Sequence, residues 1–266
     1  TASGSLGLLL PPALPLILYA IVAQVPPKDL FIGGILPGIL LITLIAGWGM
    51  REGLVTGAGR TRFGLREASA ALWESKWELS LPVVVLVAYF GGWATLVETS
   101  ALAALYAFVT QAFIHRDLPV GQLRKPFAEC VVLIGGVLVI LGVAVGFTNY
   151  LVDAQVPARL LEWTQSNIES PLLFLLALNV FLLLVGCLMD IFSAIVVIVP
   201  LIVPIGIAFG VDPVHLGIIF IANLELGYLT PPVGLNLFLA SYRFDRPRLQ
   251  VYRASVPFLI ILGIGV

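Results

Sequence analysis

The sequence predicts an all-α polytopic membrane protein with an inverted internal repeat, re-entrant hairpins and broken helices. Of its 266 residues, 60% are hydrophobic and only 11% are charged, whereas soluble domains are about 45–50% apolar and about 25% charged. The mean hydropathy is +1.08. A Pro-Pro pair at Pro11 and Pro12 recurs at Pro231 and Pro232. The composition predicts the membrane location, and the recurring pair predicts the repeat.

Apolar segments alternate with short loops in which charged residues and prolines collect. The segments cover approximately residues 4–24, 30–50, 79–114, 128–152, 171–210, 215–242 and 251–266. Segments 79–114 and 171–210 are too long for one span of roughly 20 residues. Each carries an internal break, at residues 91–95 and 186–190 respectively. We expect each to turn back within the membrane, and two short spans are the alternative for 79–114.

Lysine and arginine in short loops favour the cytoplasmic side of a membrane. The loops rich in these residues, predicted to lie inside, are 51–78, 115–126 and 243–253. The loops poor in them, predicted to lie outside, are 25–29, 149–170 and 210–213. Residues 67–78 combine Leu72, Trp73 and Trp77 with charged side chains, a pattern typical of an amphipathic helix on the cytoplasmic surface.

A shift of 220 residues, the separation of Pro11 from Pro231, aligns residues 7–12 with residues 227–232. Pro27 and Pro37 then fall on Pro247 and Pro257 without a gap. The loop after the first copy has one basic residue and the loop after the second has three. The copies are therefore predicted to face opposite ways, and paired inverted breaks in spanning helices point to the midplane site of a secondary transporter.

The repeat also predicts the domain organisation. Residues 1–50 would end the first repeat, residues 51–78 would form a cytoplasmic amphipathic linker, and residues 79–266 would form the second repeat. The second repeat would include an outward-opening hairpin at 171–210 and a broken helix at 215–242. Residues 79–222 lack a partner in the sequence, so we expect roughly 140 further residues before Thr1 in a complete inverted architecture.

A helix interrupted by Pro-Pro leaves carbonyl groups without partners inside the helix. At membrane depth such groups are tolerated only against protein or a water-filled cavity, where they can bind a cation; a structural proline kink is the alternative. The second break also carries amide, hydroxyl and carboxylate oxygens, which suit a hard cation such as Na⁺. The candidate pathway residues at the two breaks are Gly7, Pro11, Pro12, Asn223, Glu225, Gly227, Thr230, Pro231, Pro232, Gly234 and Asn236.

The hairpin at 171–210 adds a carboxylate and a hydroxyl at its break, Asp190 and Ser193. An ionisable residue within the membrane is costly and is by default a functional candidate. Asp190 would cap the following helix or offer an oxygen to a cation, and both roles can hold. Glu225 would partner a proton or cation, or pair with another helix, whereas Glu98 is expected to cap a helix start. The predicted Na⁺ ligands are Gly186, Met189, Asp190 and Thr230.

Several function classes find no support in the sequence. It contains no HExxH, GxSxG, GxGxxG or Walker-type motif, so no catalytic residue and no tightly bound cofactor are predicted. A net charge of −1 gives no reason to expect nucleic acid. The two cysteines, Cys130 and Cys187, lack metal or disulfide spacing and are interpreted as packing residues. His115 and His215 stand at the ends of spans and are interpreted as interfacial.

Residues 223–238 resemble the signature before the last span of the large membrane subunit of tripartite ATP-independent periplasmic (TRAP) transporters. The preceding turn, residues 210–215, matches as well, and residues 186–200 resemble the family's outward-opening hairpin. Two departures are the absence of proline soon after Asp190 and the run from Thr95 to Glu98, where the family often has Thr-Pro-Thr-Glu.

The resemblance implies an elevator-type importer in a bacterial or archaeal cytoplasmic membrane. Its substrate would be a small organic anion of the carboxylate or sulfonate type, and Na⁺ would be the coupling ion. Its partners would be a small membrane subunit and a soluble periplasmic binding protein, and the inward-opening hairpin would precede Thr1. The alternative is a channel-like or scaffolding subunit without ion-coupled transport, although a channel needs a continuous polar lining that these spans lack.

Overall fold

Twelve α-helices account for most of the chain that the structure, a computed structural model, describes. It describes residues 4, 6–57, 64–116, 124–231, 234–245 and 247–266, without the side chains at 133, 144, 235 and 238. The helices are α1 (Leu14–Ala23), α2 (Pro27–Val55), α3 (Leu65–Glu74), α4 (Lys76–Phe90), α5 (Leu96–Val109), α6 (Arg124–Asp153), α7 (Val156–Asn167), α8 (Pro171–Leu188), α9 (Ile191–Ala208), α10 (Pro213–Gly227), α11 (Leu235–Arg243) and α12 (Arg248–Gly265). A 3₁₀ turn at Leu6–Leu8 precedes them, and a π-helical turn at Thr110–Ile114 extends α5.

Five of the described helices are long and apolar enough to cross a bilayer, as judged by length and composition. They are α2, α5 with its π-helical extension, α6, α8 and α9. Helices α1 and α10 are apolar but shorter, with 10 and 15 residues. The described residues contain no β-strand. The predicted class, an all-α protein with several apolar helices of spanning length, is confirmed at this level.

Residues 1–56 and 139–266 form one compact unit, and α10 lies at its centre. Every residue from Leu216 to Leu229 is buried. Helix α8 packs against α10 most extensively, and α1, α2, α9 and α12 also contact it. A helix that is apolar on all sides is covered either by lipid or by other helices, and in this unit other helices cover α10. The end of α10, where the predicted break begins, is therefore held by protein from several directions.

The segment at 171–210 is broken at one point. Helix α8 runs through Leu188 and α9 starts at Ile191, so the break comprises Met189 and Asp190 alone. The break is predicted to begin at residue 186, but Gly186 and Cys187 belong to α8. Gly186 is kept in the helix because its missing side chain lets the backbone of α10 approach closely. The two arms have different partners: α8 packs against α10, whereas α9 packs against α1 and α7.

The element pattern repeats at the predicted spacing. Helix α1 starts at Leu14 and α11 at Leu235, so the two starts differ from the 220-residue shift by one residue. Likewise α2 starts at Pro27, and α12 starts at Arg248 directly after Pro247. Each Pro-Pro pair is thus followed by a short helix and then a longer helix, which is the order that the predicted repeat requires. The opposite orientation of the two copies stays a prediction.

Residues 57–138 form a second compact unit, in which α4 and α5 pack against each other as a hairpin. Its break at Gly91–Thr95 falls where the sequence predicts it. The hairpin's ends meet, since Nε2 of His115 lies 3.0 Å from Oε1 of Glu78. The chain thus returns to the place where the hairpin began, as both a re-entrant hairpin and two short spans would require; the re-entrant hairpin and its membrane side stay predictions.

The structure bears on three smaller expectations, which concern Glu98, the amphipathic stretch and the two cysteines. Thr95 and Glu98 form a capping box at the start of α5, so Glu98 has the structural role expected of it. The amphipathic stretch at 67–78 comprises α3 and the start of α4, separated at Ser75. Cys187 is buried, but Cys130 is exposed on α6. Packing within this chain is therefore the wrong interpretation for Cys130.

Candidate functional site

Asp190 lies at the tip of the α8–α9 hairpin and caps the start of α9. Its Oδ2 accepts hydrogen bonds from the backbone N–H groups of Phe192 (3.0 Å) and Ser193 (3.1 Å). The hydroxyl of Ser193 lies 2.5 Å from its Oδ1. Of the two roles predicted for Asp190, the cap is therefore present. A carboxylate has about four lone-pair directions, so these bonds leave it able to accept a cation as well.

The break after α10 is held by hydrogen bonds between residues that are close in the chain. The Thr230 hydroxyl donates to the carbonyl of Leu226 (2.9 Å), and its N–H donates to the carbonyl of Gly227 (2.9 Å). Gly234 starts the next helix with φ +46°, a left-handed conformation that glycine adopts without strain. Pro231 is exposed. Pro232, which the sequence also placed here, lies outside the described residues.

The hairpin tip and this break are joined by a direct hydrogen bond. The backbone N–H of Ile191, the first residue of α9, donates to the hydroxyl oxygen of Tyr228 at 2.8 Å. Tyr228 directly follows α10 and is 8% exposed. Asp190 precedes Ile191 in the chain, and Thr230 follows Tyr228 by two residues. Two of the predicted Na⁺ ligands therefore flank this bond.

Gly186 and Gly227 let α8 and α10 touch backbone to backbone. A β-carbon built on Gly227 would lie 2.5 Å from the α-carbon of Gly186, and one built on Gly186 would lie 3.0 Å from the α-carbon of Leu224. Real β-carbons essentially never lie within 3.0 Å of another atom, so the Gly227 position has no room for one, and the Gly186 position is tight. Any larger residue at Gly227 would therefore push the hairpin away from the break. The structure thus brings together Gly186, Gly227 and the Tyr228–Ile191 bond.

Polar groups also meet in the middle of α8 and α10. The side-chain amide of Asn223 donates to the side-chain oxygen of Asn179 and to the carbonyl of Ile219, the latter at 2.9 Å. Asn179 in turn donates to the carbonyl of Leu175 at 2.9 Å. Glu225, 1% exposed, lies in the last turn of α10 with both carboxylate oxygens shielded from solvent. Its role as an ion partner stays a prediction.

A cleft of about 460 Å³ lies between residues that precede the first break and residues on either side of the second. One wall comes from residues before the first break, Gly4 and Leu8, and the other comes from Tyr228 and residues of α11, including Asn236. Gly7 and Pro12 are exposed and Pro11 is half-buried. A β-carbon on Gly34 of α2 would lie 2.7 Å from the carbonyl oxygen of Leu9, so α2 contacts the chain just before Pro11.

The ligand chemistry available at this site is oxygen-based. Among the described residues, no group of three or more His, Cys, Asp or Glu side chains could hold a metal ion. The groups present are instead a hydroxyl, a carboxylate and backbone carbonyls, which are the oxygen ligands that a hard cation prefers. Carbonyl groups at the end of α8, where Gly186 and Met189 lie, have no partner within that helix. The arrangement can offer oxygens to a hard cation such as Na⁺.

Two residues of this site were not singled out from the sequence. Asn179 is a polar amide within the apolar helix α8. Because a polar side chain is costly within a membrane, this position alone marks Asn179 as a functional candidate. Tyr228 lies inside the signature at 223–238, but nothing local shows that its hydroxyl reaches a residue 37 positions away.

The comparisons with known proteins agree with one another. A family model described as Tripartite ATP-independent periplasmic transporter, DctM component, matches residues 1–266. An isethionate TRAP transporter permease protein, DctMQ, of Oleidesulfovibrio alaskensis is 37% identical over 98% of this chain and 41% of its own length. A C4-dicarboxylate TRAP transporter large permease protein, DctM, of Pseudomonas aeruginosa is 34% identical over 98% of this chain and 61% of its own.

A sialic acid TRAP transporter large permease protein, SiaM, of Vibrio cholerae is 31% identical over 99% of this chain and 62% of its own length. The chain therefore spans about two fifths to three fifths of the length of these curated relatives.

Proposed function

Because the chain belongs to the family of the DctM component of tripartite ATP-independent periplasmic transporters, we propose that it forms part of the large permease subunit of such a transporter in a bacterial inner membrane. The proposed activity is Na⁺-coupled import of a small organic anion. Relatives are named for isethionate, C4-dicarboxylates and sialic acid, which are sulfonate or carboxylate anions. The substrate proposed here is of that class, and the protein is proposed to be a carrier and not an enzyme.

The observation that carries this proposal is the bond between hairpin tip and helix break, from the Ile191 N–H to the Tyr228 hydroxyl at 2.8 Å. Broken helices whose ends meet within apolar segments are the usual site of substrate and ion binding in secondary transporters. Asp190 and Thr230 border this junction with oxygen atoms that retain lone pairs. The proposed coupling site uses these oxygens together with carbonyls of Gly186 and Met189.

The packing of the larger unit supports an elevator-type mechanism. Helix α10 is enclosed by α1, α2, α8 and α9, and glycine contacts bring α8 and α10 into backbone contact. Densely packed helices move as a body, because separating them would expose buried groups. We propose that the hairpin and the broken helix move together, carrying Na⁺ and the anion. The proposed partners are a small membrane subunit and a periplasmic binding protein that delivers the substrate.

The test is uptake by the complete transporter complex in proteoliposomes. Labelled isethionate, succinate and sialic acid are offered with and without an inward Na⁺ gradient and with and without the binding protein. We expect accumulation of one of these anions only when both are present. Uptake that is indifferent to both would overturn the proposal. Downhill flux without accumulation would instead support the channel-like alternative.

A further inference from the structure

Three helix ends converge on a single residue, Tyr228. Its N–H donates to the carbonyl of Leu224, in the last turn of α10 (3.1 Å), and its carbonyl accepts from the N–H of Asn236, in the first turn of α11 (3.3 Å). Its hydroxyl accepts from the N–H of Ile191, the first residue of α9. Because Tyr228 is 8% exposed, solvent cannot readily replace these partners.

The first amides of α9 are all satisfied by side chains. Those of Phe192 and Ser193 bind Asp190, while that of Ile191 binds Tyr228. The first N–H groups of a helix have no partner within the helix and usually form a site for anions. Here the tip's own carboxylate and the Tyr228 hydroxyl fill it. The local charge at the tip is thus that of Asp190, which favours a cation.

The α8 side of the hairpin tip is held at a fixed distance from α10. The Gly186–Gly227 contact fixes the separation of α8 and α10 by backbone atoms. The body of α9 packs against α1, α7 and α10, and at the tip the Tyr228 hydroxyl holds the first residue of α9 against the break. The bond therefore ties the residue after Asp190 to the residue two positions before Thr230.

We propose that Tyr228 is a positioning residue for Na⁺ coupling: its hydroxyl holds the hairpin tip so that the oxygens of Asp190 and those of the α10 break converge on one ion. The inference rests on the proposed Na⁺-coupled transport and adds a residue that acts through others. Tyr228 need not touch the ion. Its loss would weaken Na⁺ binding because the oxygens would no longer be held at one separation, a cost of preorganisation.

The chain offers a matched control in Tyr19. It is also buried, and its hydroxyl makes a long-range backbone hydrogen bond, donating to the carbonyl of Pro213 at 3.0 Å. That bond joins α1 to the start of α10, the end opposite to the break. Tyr228→Phe and Tyr19→Phe each remove one buried hydroxyl and keep the ring, so they share any general loss of stability.

The experiment measures uptake by the complete transporter complex as a function of Na⁺ concentration. For Tyr228→Phe we expect the Na⁺ concentration at half-maximal uptake to rise about tenfold, the equivalent of one hydrogen bond, with the rate at saturating Na⁺ retained. Tyr19→Phe should follow the unmodified curve. Identical curves for both variants would overturn this inference alone. Na⁺-independent uptake by the unmodified complex would overturn the proposed function, and this inference with it.

A second measurement does not depend on uptake. Cys187 is buried in the last turn of α8, beside the tip, and it becomes the only thiol in the assay when Cys130 and every cysteine contributed by the rest of the complex are replaced by serine. We expect Na⁺ to slow its reaction with a thiol reagent in the complete complex, with about tenfold more Na⁺ needed in Tyr228→Phe. An unchanged Na⁺ requirement in Tyr228→Phe would count against the positioning role, even if uptake were too weak to measure.

Discussion

Gly186 and Gly227 lie in backbone contact, and this contact joins the last turn of α8 to the last turn of α10. A β-carbon on Gly227 would meet the α-carbon of Gly186 at 2.5 Å and its carbonyl oxygen at 2.8 Å. Small residues at such crossings let membrane helices approach closely enough for strong van der Waals packing. The pair therefore determines where the hairpin sits on the broken helix.

We expect Gly227→Ala to separate the two helices and to abolish most uptake. The added methyl group has rigid backbone in its path, and overpacking of this kind costs typically about 1–3 kcal/mol of folding free energy. The thermal unfolding midpoint of the complex and its uptake rate measure the two effects. Gly47→Ala in α2 is the control, because a β-carbon there meets no atom of the described chain within 4 Å. Equal behaviour of the two variants would contradict the prediction.

The paired amides of Asn179 and Asn223 should contribute to stability as a unit. Side-chain hydrogen bonds between membrane helices are worth on average about 0.6 kcal/mol and at most about 1.7 kcal/mol. In a double-mutant cycle with Asn179→Ala and Asn223→Ala, we expect a coupling energy within that range, measured by reversible unfolding in detergent. A second cycle, pairing Asn179→Ala with Thr164→Ala, should be additive because the Thr164 hydroxyl bonds within its own helix. Additivity in both cycles would argue against an interhelical role.

Glu98 caps α5 and should have no part in ion coupling. Its Oε2 accepts hydrogen bonds from the N–H of Thr95 at 2.7 Å and from the Thr95 hydroxyl at 2.8 Å. Glu98→Ala is therefore expected to lower the thermal unfolding midpoint while leaving the Na⁺ dependence of uptake unchanged. Glu162→Ala, which removes an exposed carboxylate from α7, should change neither. A shifted Na⁺ dependence in Glu98→Ala would assign Glu98 to the transport path.

The sequence predicts local features of this protein well, because their causes are local. Proline and glycine predict the breaks at residues 91–95 and after Gly227, and an aspartate before an apolar run predicts the cap at Asp190. The contacts that assemble the site have causes far apart in the chain. Ile191 and Tyr228 are 37 residues apart, and Asn179 and Asn223 are 44 residues apart.

Such contacts depend on the register of one helix against another, which a single sequence does not encode in any local pattern. The same reason explains the misplaced start of the hairpin break. The sequence predicts Gly186 to be part of the break because glycine is unfavourable within helices. In the structure it stays helical, and its missing side chain serves the contact with Gly227. The inverted orientation of the repeats, the Na⁺ ligands and the substrate stay predictions that the experiments address.

Asp190 has two roles that one substitution can separate. Asparagine is as good a helix cap as aspartate, so Asp190→Asn should keep the bonds to the α9 amides and the stability of the complex. It removes the negative charge, however, and we expect the Na⁺ concentration for half-maximal uptake to rise by about tenfold or more, a change of about 1.4 kcal/mol. Asp190→Ala would in addition lose the cap, at about 1 kcal/mol of stability.

Asp212 provides the matched control for this charge. It caps α10 in the same way, accepting from the N–H groups of Val214 (2.8 Å) and His215 (3.3 Å), but it lies at the end of α10 opposite to the break. Asp212→Asn should therefore leave both stability and Na⁺ dependence unchanged. If Asp190→Asn and Asp212→Asn gave the same Na⁺ curve, the Asp190 charge would have no role in coupling. Its function would then be limited to the cap, and the coupling ion would have to bind elsewhere.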